Sequence, residues 1–205
     1  MEITRLVTGG NRDPLGPPDH ENNVWIVGDD AEVVVIDPAH DADAVLRAVG
    51  GRRVAAVLLT HGHWDHVRAA PRFVELTGVA PYLAPEDDFL WREFNGDAPY
   101  LPLEDGAEFT VAGWSLVALR TPGHTPGSTC FWLESEKAVF TGDALFERGP
   151  GATRWEYSSF ETIIASITGR LFPLGDEVVI NTGHGPSTTI GAERPQLQTW
   201  LDRGW

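Results

Sequence analysis

Short apolar runs recur along the chain and predict β-strands, because they are rich in branched and aromatic side chains and are bounded by turn residues. The predicted strands of the first half are 2–8, 24–27, 31–38, 54–59 and 82–84. Those of the second half are 108–111, 114–119, 128–133, 138–140 and 178–180. Apolar positions three and four residues apart predict helices at 41–49, 67–76, 86–94, 160–171 and 192–201.

The order of these elements favours an α/β fold with two sheets. The strands come in clusters with helices between the clusters, which is not the strict alternation of a doubly wound sheet. We therefore expect two mixed sheets packed face to face with helices outside, an αββα sandwich, in a single domain over residues 1–205. Residues 9–23 are rich in Gly, Pro, Asn and Asp and predict a loop, and we expect His20 and His40 at the surface.

Four metal-binding side chains follow the predicted strand 54–59 within six residues: His61, His63, Asp65 and His66. In an extended backbone, positions two apart point the same way, so His61 and His63 can converge on one point. Asp65 and His66 lie where the chain turns into the next predicted helix and can reach a second point close by.

Three later strands also end in a histidine or an aspartate, each directly after a glycine. These residues are His124, Asp143 and His184. Any one of them alone would more often be an ordinary loop residue or a helix cap. Because ligands in α/β proteins bind at the carboxyl ends of strands, the four strand ends together predict one shared polar pocket.

The number and type of these donors predict two metal ions. A structural zinc site takes about four ligands, and seven donors exceed that number. Imidazole and carboxylate ligands without thiolate suit zinc, iron or manganese. We expect zinc, with iron and manganese as alternatives. Two such ions lower the pKa of a bound water towards about 7 and polarise a carbonyl group. Asp65 and Asp143, the carboxylates of the set, are the residues that we expect to take part in catalysis.

Composition narrows the range of partners. A formal net charge of −15 argues against binding to nucleic acid or to an anionic membrane surface. No segment is long and apolar enough to span a bilayer, and residues 1–5 lack the features of a signal peptide. The single cysteine, Cys130, cannot form an internal disulfide, so we expect a cytoplasmic location. The oligomeric state stays open.

The motif H-x-H-x-D-H at 61–66, with the stretches Gly-His-Thr at 123–125, Thr-Gly-Asp at 141–143 and Thr-Gly-His-Gly at 182–185, resembles the metallo-β-lactamase fold superfamily. Within it the chain looks most like short, single-domain members of the glyoxalase II (hydroxyacylglutathione hydrolase) branch. The resemblance implies one metal bound by three histidines and a second bound by an aspartate and two histidines, with an aspartate between them. The first metal would be bound by His61, His63 and His124, and the second by Asp65, His66 and His184. Asp143 would lie between the two metals.

The resemblance also implies an activity, hydrolysis of a small-molecule thioester such as an S-2-hydroxyacyl thiol by a hydroxide between the metals. The chain ends 21 residues after His184 and lacks the helical region that helps two-domain glyoxalase II enzymes to hold glutathione, so the thiol is left open. Three alternatives are a lactonase, a metal-binding module without catalysis, and a persulfide dioxygenase with one iron bound by His61, His124 and Asp143.

The segment after Asp143 is expected to border the site. Arg148, Arg154 and Tyr157 lie there and could hold a carboxylate of the substrate, although each alone could equally be a solvated loop residue. Trp64, inside the motif, is expected to form part of the wall.

Overall fold

Two six-stranded sheets form the centre of the molecule. A computed structural model describes residues 1–13 and 15–204 of the chain. The first sheet has its strands in chain order: β1 (Glu2–Gly10), β2 (His20–Gly28), β3 (Glu32–Ile36), β4 (Arg53–Leu58), β5 (Pro81–Leu83) and β6 (Leu101–Pro102). The strands β1 to β3 are antiparallel neighbours, whereas β3 to β6 run parallel.

The second sheet and a small hairpin contain the strands of the second half. In chain order these are β7 (Glu108–Val111), β8 (Trp114–Arg120), β9 (Thr129–Leu133), β10 (Ala138–Gly142), β11 (Leu145–Phe146), β12 (Gly149–Pro150), β13 (Val179–Thr182) and β14 (Thr188–Thr189). The spatial order is β14-β13-β10-β9-β8-β7, and β11 pairs with β12. Because β9 is antiparallel to both β8 and β10, and β13 is parallel to β10, the strands β8, β10 and β13 end at the same edge.

The described part of the chain contains seven α-helices around the two sheets. They are α1 (Ala42–Val49), α2 (Trp64–Val67), α3 (Ala70–Thr77), α4 (Asp88–Asn95), α5 (Phe160–Ser166), α6 (Ile190–Glu193) and α7 (Leu197–Arg203). Shorter helical turns lie at Pro85–Asp87, Glu134–Glu136, Ile167–Leu171, Phe172–Leu174 and Arg194–Gln196. Within residues 1–13 and 15–204, no helix combines the length and the apolar character needed to cross a bilayer.

The alternation of side chains along the strands produces three apolar layers. In β3, Val34 and Ile36 point between the sheets and pack with Phe131 and Phe140 of the second sheet. Val33 and Val35 point the other way and pack with the inner faces of α1 and α3. The outer face of the second sheet packs with α5 and α7. This arrangement confirms the predicted α/β class and the two mixed sheets flanked by helices.

The chain departs from the predicted elements where polar residues continue a strand or a proline breaks a helix. The expected loop 9–23 is shorter, because β1 and β2 stay paired out to Gly10 opposite His20. The expected helix 67–76 is divided into α2 and α3. Pro71 has no amide hydrogen to donate to the carbonyl of Val67, and the side chain of Asn95 donates to that carbonyl instead, at 3.1 Å.

His40 also differs from its predicted place at the surface. It is half-buried, and its Nε2 lies 2.7 Å from the amide oxygen of Asn22 in β2. The sequence pattern did not show this contact, because Asn22 was expected in the loop. His20 is exposed, as expected, and bonds to its neighbour Asp19.

One buried carboxylate joins two loops at the end of the first sheet. Asp87 is fully buried and accepts hydrogen bonds from the backbone N–H groups of Gly62 and Gly127, at 2.8 and 2.6 Å. It also accepts one from the Thr125 hydroxyl at 2.7 Å. Gly62 stands between His61 and His63, so this carboxylate fixes the loops that carry three of the predicted ligands.

We predict that Asp87→Ala destabilises the protein by about 3 kcal/mol or more, because three buried donors lose their acceptor. Chemical unfolding monitored by circular dichroism measures the loss. Asp88→Ala is the matched control: Asp88 is only partly buried, its bonds go to Arg92 and Tyr100, and a much smaller loss is expected. Equal losses for the two variants would contradict the role assigned to Asp87.

Candidate metal centre

Three histidines from two loops meet with their ring nitrogens in contact. The Nδ1 atom of His63 lies 3.0 Å from Nε2 of His61 and 3.0 Å from Nε2 of His124. His61 and His63 follow β4 of the first sheet, whereas His124 follows β8 of the second. The facing edges of the two sheets therefore bring this first set of donors together.

A second set lies beside the first and includes residues from α2 and from the loop after β13. Nε2 of His66 is 3.4 Å from Oδ2 of Asp65 and 3.3 Å from Nε2 of His184. Oδ2 of Asp65 is 3.2 Å from Nε2 of His184. Asp65 and His66 lie in the short helix α2, which begins directly after the first pair of histidines.

Asp143 lies between the two sets. Its Oδ2 is 3.5 Å from Nε2 of His124 in the first set and 3.4 Å from Nε2 of His184 in the second. Its Oδ1 is 3.4 Å from Nε2 of His66. Among the described residues, this Oδ1 is buried and has no hydrogen-bond partner. A buried carboxylate oxygen without a partner is costly unless a cation accompanies it.

The donor spacings fit divalent cations. A tetrahedral zinc ion with bonds of about 2.0–2.1 Å separates neighbouring ligand atoms by about 3.3 Å. Neighbouring donor atoms of the two sets and of Asp143 lie 3.0–3.5 Å apart, and all donor atoms within a group lie within 4.8 Å of one another. Three groups could each hold one ion: His61, His63 and His124; His61, His66 and Asp143; and Asp65, His66 and His184. The seven predicted donors therefore lie in one cluster, with an orphaned oxygen at its centre.

Hydrogen bonds behind the donors fix which ring nitrogen faces the cluster. The Nδ1 atoms of His61 and His66 face away, towards Thr60 Oγ1 at 3.0 Å and Asp37 Oδ2 at 2.8 Å. The Thr60 hydroxyl also donates to Asp37 at 2.6 Å. Metal-binding histidines are held in this way by carboxylates and hydroxyls, which leaves the other nitrogen free to bind the metal.

The remaining histidines are held by backbone carbonyls or by a tyrosine. Nδ1 of His124 donates to the carbonyl of Ala152 at 2.8 Å, and Nδ1 of His184 donates to that of Glu21 at 2.6 Å. His63 is turned the other way: its Nδ1 faces the cluster and its Nε2 lies 2.9 Å from the hydroxyl of Tyr157. Each ring therefore has one nitrogen occupied by the protein and one nitrogen aimed at the centre.

Sequence reasoning missed Asp37 and Asn22. Asp37 directly follows β3, the parallel neighbour of β4. Polar residues at the carboxyl ends of strands identified His61, and the same criterion could have identified Asp37. Asn22 is brought to the site because β2 runs antiparallel to β3 and begins at the edge where β3 ends. No local pattern signals such a contact.

The comparisons with known proteins agree with this geometry. A family profile described as "Metallo-beta-lactamase superfamily" matches residues 17–184. The chain belongs to this superfamily. It is 34% identical over 190 residues to "Hydroxyacylglutathione hydrolase GloC" of Haemophilus influenzae, which covers 85% of this chain and 90% of that protein.

Two solved structures of the superfamily are similar over most of the chain. TTHA1623, in a di-iron-bound form, is 33% identical with a TM-score of 0.76, over 88% of this chain and 94% of that one. ETHE1 from Myxococcus xanthus is 26% identical with a TM-score of 0.75, over 98% of this chain and 90% of that one. Both structures match over most of the chain, and one of them was solved with two iron ions bound.

An open cavity of about 620 Å³ leads to the cluster in this superfamily member. His63, Asp65, His124, Asp143 and His184 line its base. Its walls are mostly aromatic and come from Trp64, Phe94, Phe146, Trp155 and Tyr157. Two arginines, Arg12 and Arg154, also border it.

The three predicted substrate contacts lie in different places. Arg154 and Tyr157 line the cavity, but Arg148 does not. Arg148 borders a separate depression with Glu193, and its backbone N–H donates to the Glu193 carboxylate at 2.9 Å. Arg148, with a φ of +73°, lies in the short turn between β11 and β12. Arg148 therefore lies outside the cavity, unlike the other two predicted contacts.

The two donor sets differ in their affinity for protons. Burial lowers the pKa of His61 and of His124, and it lowers the pKa of His63 to about 3. Burial also disfavours the charged forms of His66 and His184, but the neighbouring carboxylates outweigh it there. Next to Asp65 and Asp143, the pKa of His66 is raised well above its usual value and that of His184 is raised to about 10. The first set is neutral at pH 7, whereas the second carries positive charge that a cation would replace.

This difference predicts that the two sets respond differently to pH. Protons on His66 and His184 compete with a cation, and raising the pH towards their pKa values removes that competition. We expect the affinity for the second cation to rise by about tenfold or more per pH unit between pH 6.5 and 8.5. The affinity of the first set should stay nearly constant, because its histidines are already neutral.

Competition titrations with a chromophoric chelator at three pH values measure both affinities. The affinity for the first cation is the internal control, because it would reveal any effect of pH on the chelator itself. Two affinities that are independent of pH, or that weaken as the pH rises, would contradict the assignment of charge to the second set.

Proposed function

We propose that this protein is a binuclear metallohydrolase that cleaves a small-molecule thioester, such as an S-2-hydroxyacyl thiol. The observation that carries the proposal is the pair of donor sets joined by Asp143 at the base of an open cavity. Two divalent ions, most simply zinc, with iron or manganese as the other candidates, match the five imidazoles and two carboxylates. The 34% identity to a hydroxyacylglutathione hydrolase supports the substrate class.

The protein's own groups divide the work around the proposed centre. His61, His63 and His124 would hold one ion, and Asp65, His66 and His184 the other, with Asp143 shared between them. Divalent ions held there would supply a hydroxide at neutral pH and would stabilise negative charge on the carbonyl oxygen of the substrate. Asp65 and Asp143 lower the net positive charge of the centre and fix the separation of the two sets.

The cavity walls supply recognition of the substrate. The guanidinium of Arg154 lies 4.9 Å from the ring centre of Trp155, and no carboxylate pairs with it within the described part of the chain. An unpaired arginine in a protein of net charge −15 is suited to bind a carboxylate of the substrate. Tyr157 is stacked nearly parallel to Trp155 and accepts the hydrogen bond of His63, so its own hydroxyl hydrogen can point into the cavity.

A persulfide dioxygenase with one iron is the second candidate. The likeness to ETHE1 supports keeping it, and the di-iron-bound structure supports iron as a candidate metal. That activity would use His61, His124 and Asp143 and would leave the second set without a role. The tight packing of Asp65 with His66 and His184 therefore favours the two-metal hydrolase. A lactonase is a further outcome that the test distinguishes.

The remaining expectations stay proposals. They are one domain over residues 1–205, a cytoplasmic location, a small-molecule thiol conjugate as partner, and no nucleic acid or membrane as partner.

The direct test is a substrate panel with zinc-loaded protein. We expect hydrolysis of S-2-hydroxyacyl thioesters of several small thiols, and the assay measures the free thiol that hydrolysis releases. The same panel includes an acyl-homoserine lactone, a β-lactam and a thiol persulfide with an oxygen electrode. Asp143→Ala should abolish turnover while the circular dichroism spectrum stays unchanged. Metal-loaded protein that leaves every thioester intact, or an iron-loaded protein that consumes oxygen with the persulfide, would contradict the proposal.

We further predict that Arg154→Ala raises KM for a carboxylate-bearing thioester by about tenfold and leaves kcat nearly unchanged, because one charge-assisted hydrogen bond is lost. Steady-state kinetics with the preferred substrate and with its uncharged methyl ester measure the effect. The ester should show little difference between wild type and variant. Arg148→Ala is the matched control outside the cavity and should change neither constant. An effect of equal size in both arginine variants would refute the assignment.

A further inference from the structure

The side chain of Asn22 reaches directly into the second donor set. It is fully buried, and its amide nitrogen lies 3.0 Å from Oδ2 of Asp65 and 3.1 Å from Nε2 of His66. Both atoms belong to the set that also includes His184. An amide N–H that donates to a carboxylate fixes the rotation of that carboxylate and leaves fewer directions for its lone pairs.

His40 holds the opposite end of the same amide. Its Nε2 lies 2.7 Å from Oδ1 of Asn22, and an imidazole N–H that donates there keeps the oxygen turned away from Asp65. Reversal of the amide would place the Asn22 oxygen against the Asp65 carboxylate. Two hydrogen-bond acceptors would then be in contact. The imidazole of His40 therefore decides which end of Asn22 faces the cluster.

The backbone of His40 indicates that its position is imposed by its surroundings. Its φ is +57°, a region that glycine adopts freely and that other residues adopt only at some cost. The ring packs 5.6 Å from the ring of Trp64, and a Cβ on Gly10 would overlap it. The fold thus keeps space for this imidazole and holds it in an unfavourable backbone conformation.

We propose that His40 and Asn22 are a positioning pair for Asp65, which sets the affinity of the second donor set for its cation. His40 acts through Asn22, and Asn22 acts through Asp65; neither is expected to bind the cation. This inference rests on the proposed two-cation centre, but it does not depend on the substrate.

The experiment measures zinc affinity, with no substrate present. His40→Gly removes the imidazole and leaves a residue that suits the left-handed backbone, and Asn22→Ala removes the amide. Loss of a partner behind a metal ligand typically weakens binding by about 10–100-fold. We expect each variant to bind one of the two zinc ions at least about tenfold more weakly and the other as tightly as wild type does.

Two controls separate positioning from a general loss of structure. His20→Ala removes the exposed histidine whose ring also contacts Trp64, 5.4 Å between ring centres, and should leave both zinc affinities unchanged. The chemical unfolding midpoint of metal-free His40→Gly should stay close to that of wild type, because relief of the backbone cost offsets the lost hydrogen bond to Asn22. A lower midpoint together with weaker binding at both sets would indicate general damage and would overturn the proposal.

The double variant gives the sharpest outcome. If His40 acts through Asn22, the variant that combines His40→Gly with Asn22→Ala should bind the second zinc no more weakly than Asn22→Ala alone. Additive losses would overturn the inference, as would two unchanged affinities in His40→Gly when wild type binds two ions. Wild-type protein that binds one ion would overturn the inference together with the two-cation centre, so the two failures can be told apart.

Discussion

The carboxylate of Asp143 is the group on which the arrangement of the site depends. It follows β10 in the middle of the second sheet, and 12% of its side chain is exposed. Histidines from both donor sets surround it, and one of its oxygens has no hydrogen-bond partner among the described residues. Such a group is stable only beside positive charge, and its pKa is held well below its usual range by His184 and His66, which outweigh the effect of burial. The same requirement explains why divalent cations suit the cluster.

The topology makes this arrangement possible. The strands β8, β10 and β13 end at one edge of the second sheet, and β3 and β4 end at the facing edge of the first. Side chains that are 123 positions apart, from His61 to His184, therefore reach one cluster from rigid supports. Buried polar groups then fix the loops at both edges: Asp37 behind His61 and His66, and Asp87 behind the loops of His63 and His124. Stability and the proposed metal binding thus depend on the same buried hydrogen bonds.

Local sequence patterns were sufficient for the features that depend on neighbouring residues. The glycine before each donor and the apolar run before that glycine identified His124, Asp143 and His184 as strand-end residues, and the structure brings them together with the donors at 61–66. The clustering of strands predicted the two sheets for a physical reason, because each sheet needs apolar residues on both faces.

Features that depend on distant contacts could not be predicted in this way. The bond between His40 and Asn22 joins a turn to the start of an antiparallel strand, and neither segment shows a pattern that specifies the other. Pro71 could have been recognised as a helix breaker, whereas no local pattern shows that Arg148, in the turn between β11 and β12, lies outside the cavity. Side-chain directions in loops are set by packing that the linear sequence does not show.

The most direct test of the central claim is the anomalous diffraction of crystals of the zinc-loaded protein, measured on both sides of the zinc absorption edge. The account predicts two anomalous maxima about 3.5–4 Å apart. One maximum should lie about 2.0–2.2 Å from the ring nitrogens of His61, His63 and His124, the other at the same distance from donors of Asp65, His66 and His184, with Asp143 in contact with both. A single maximum, or two maxima away from Asp143, would contradict it.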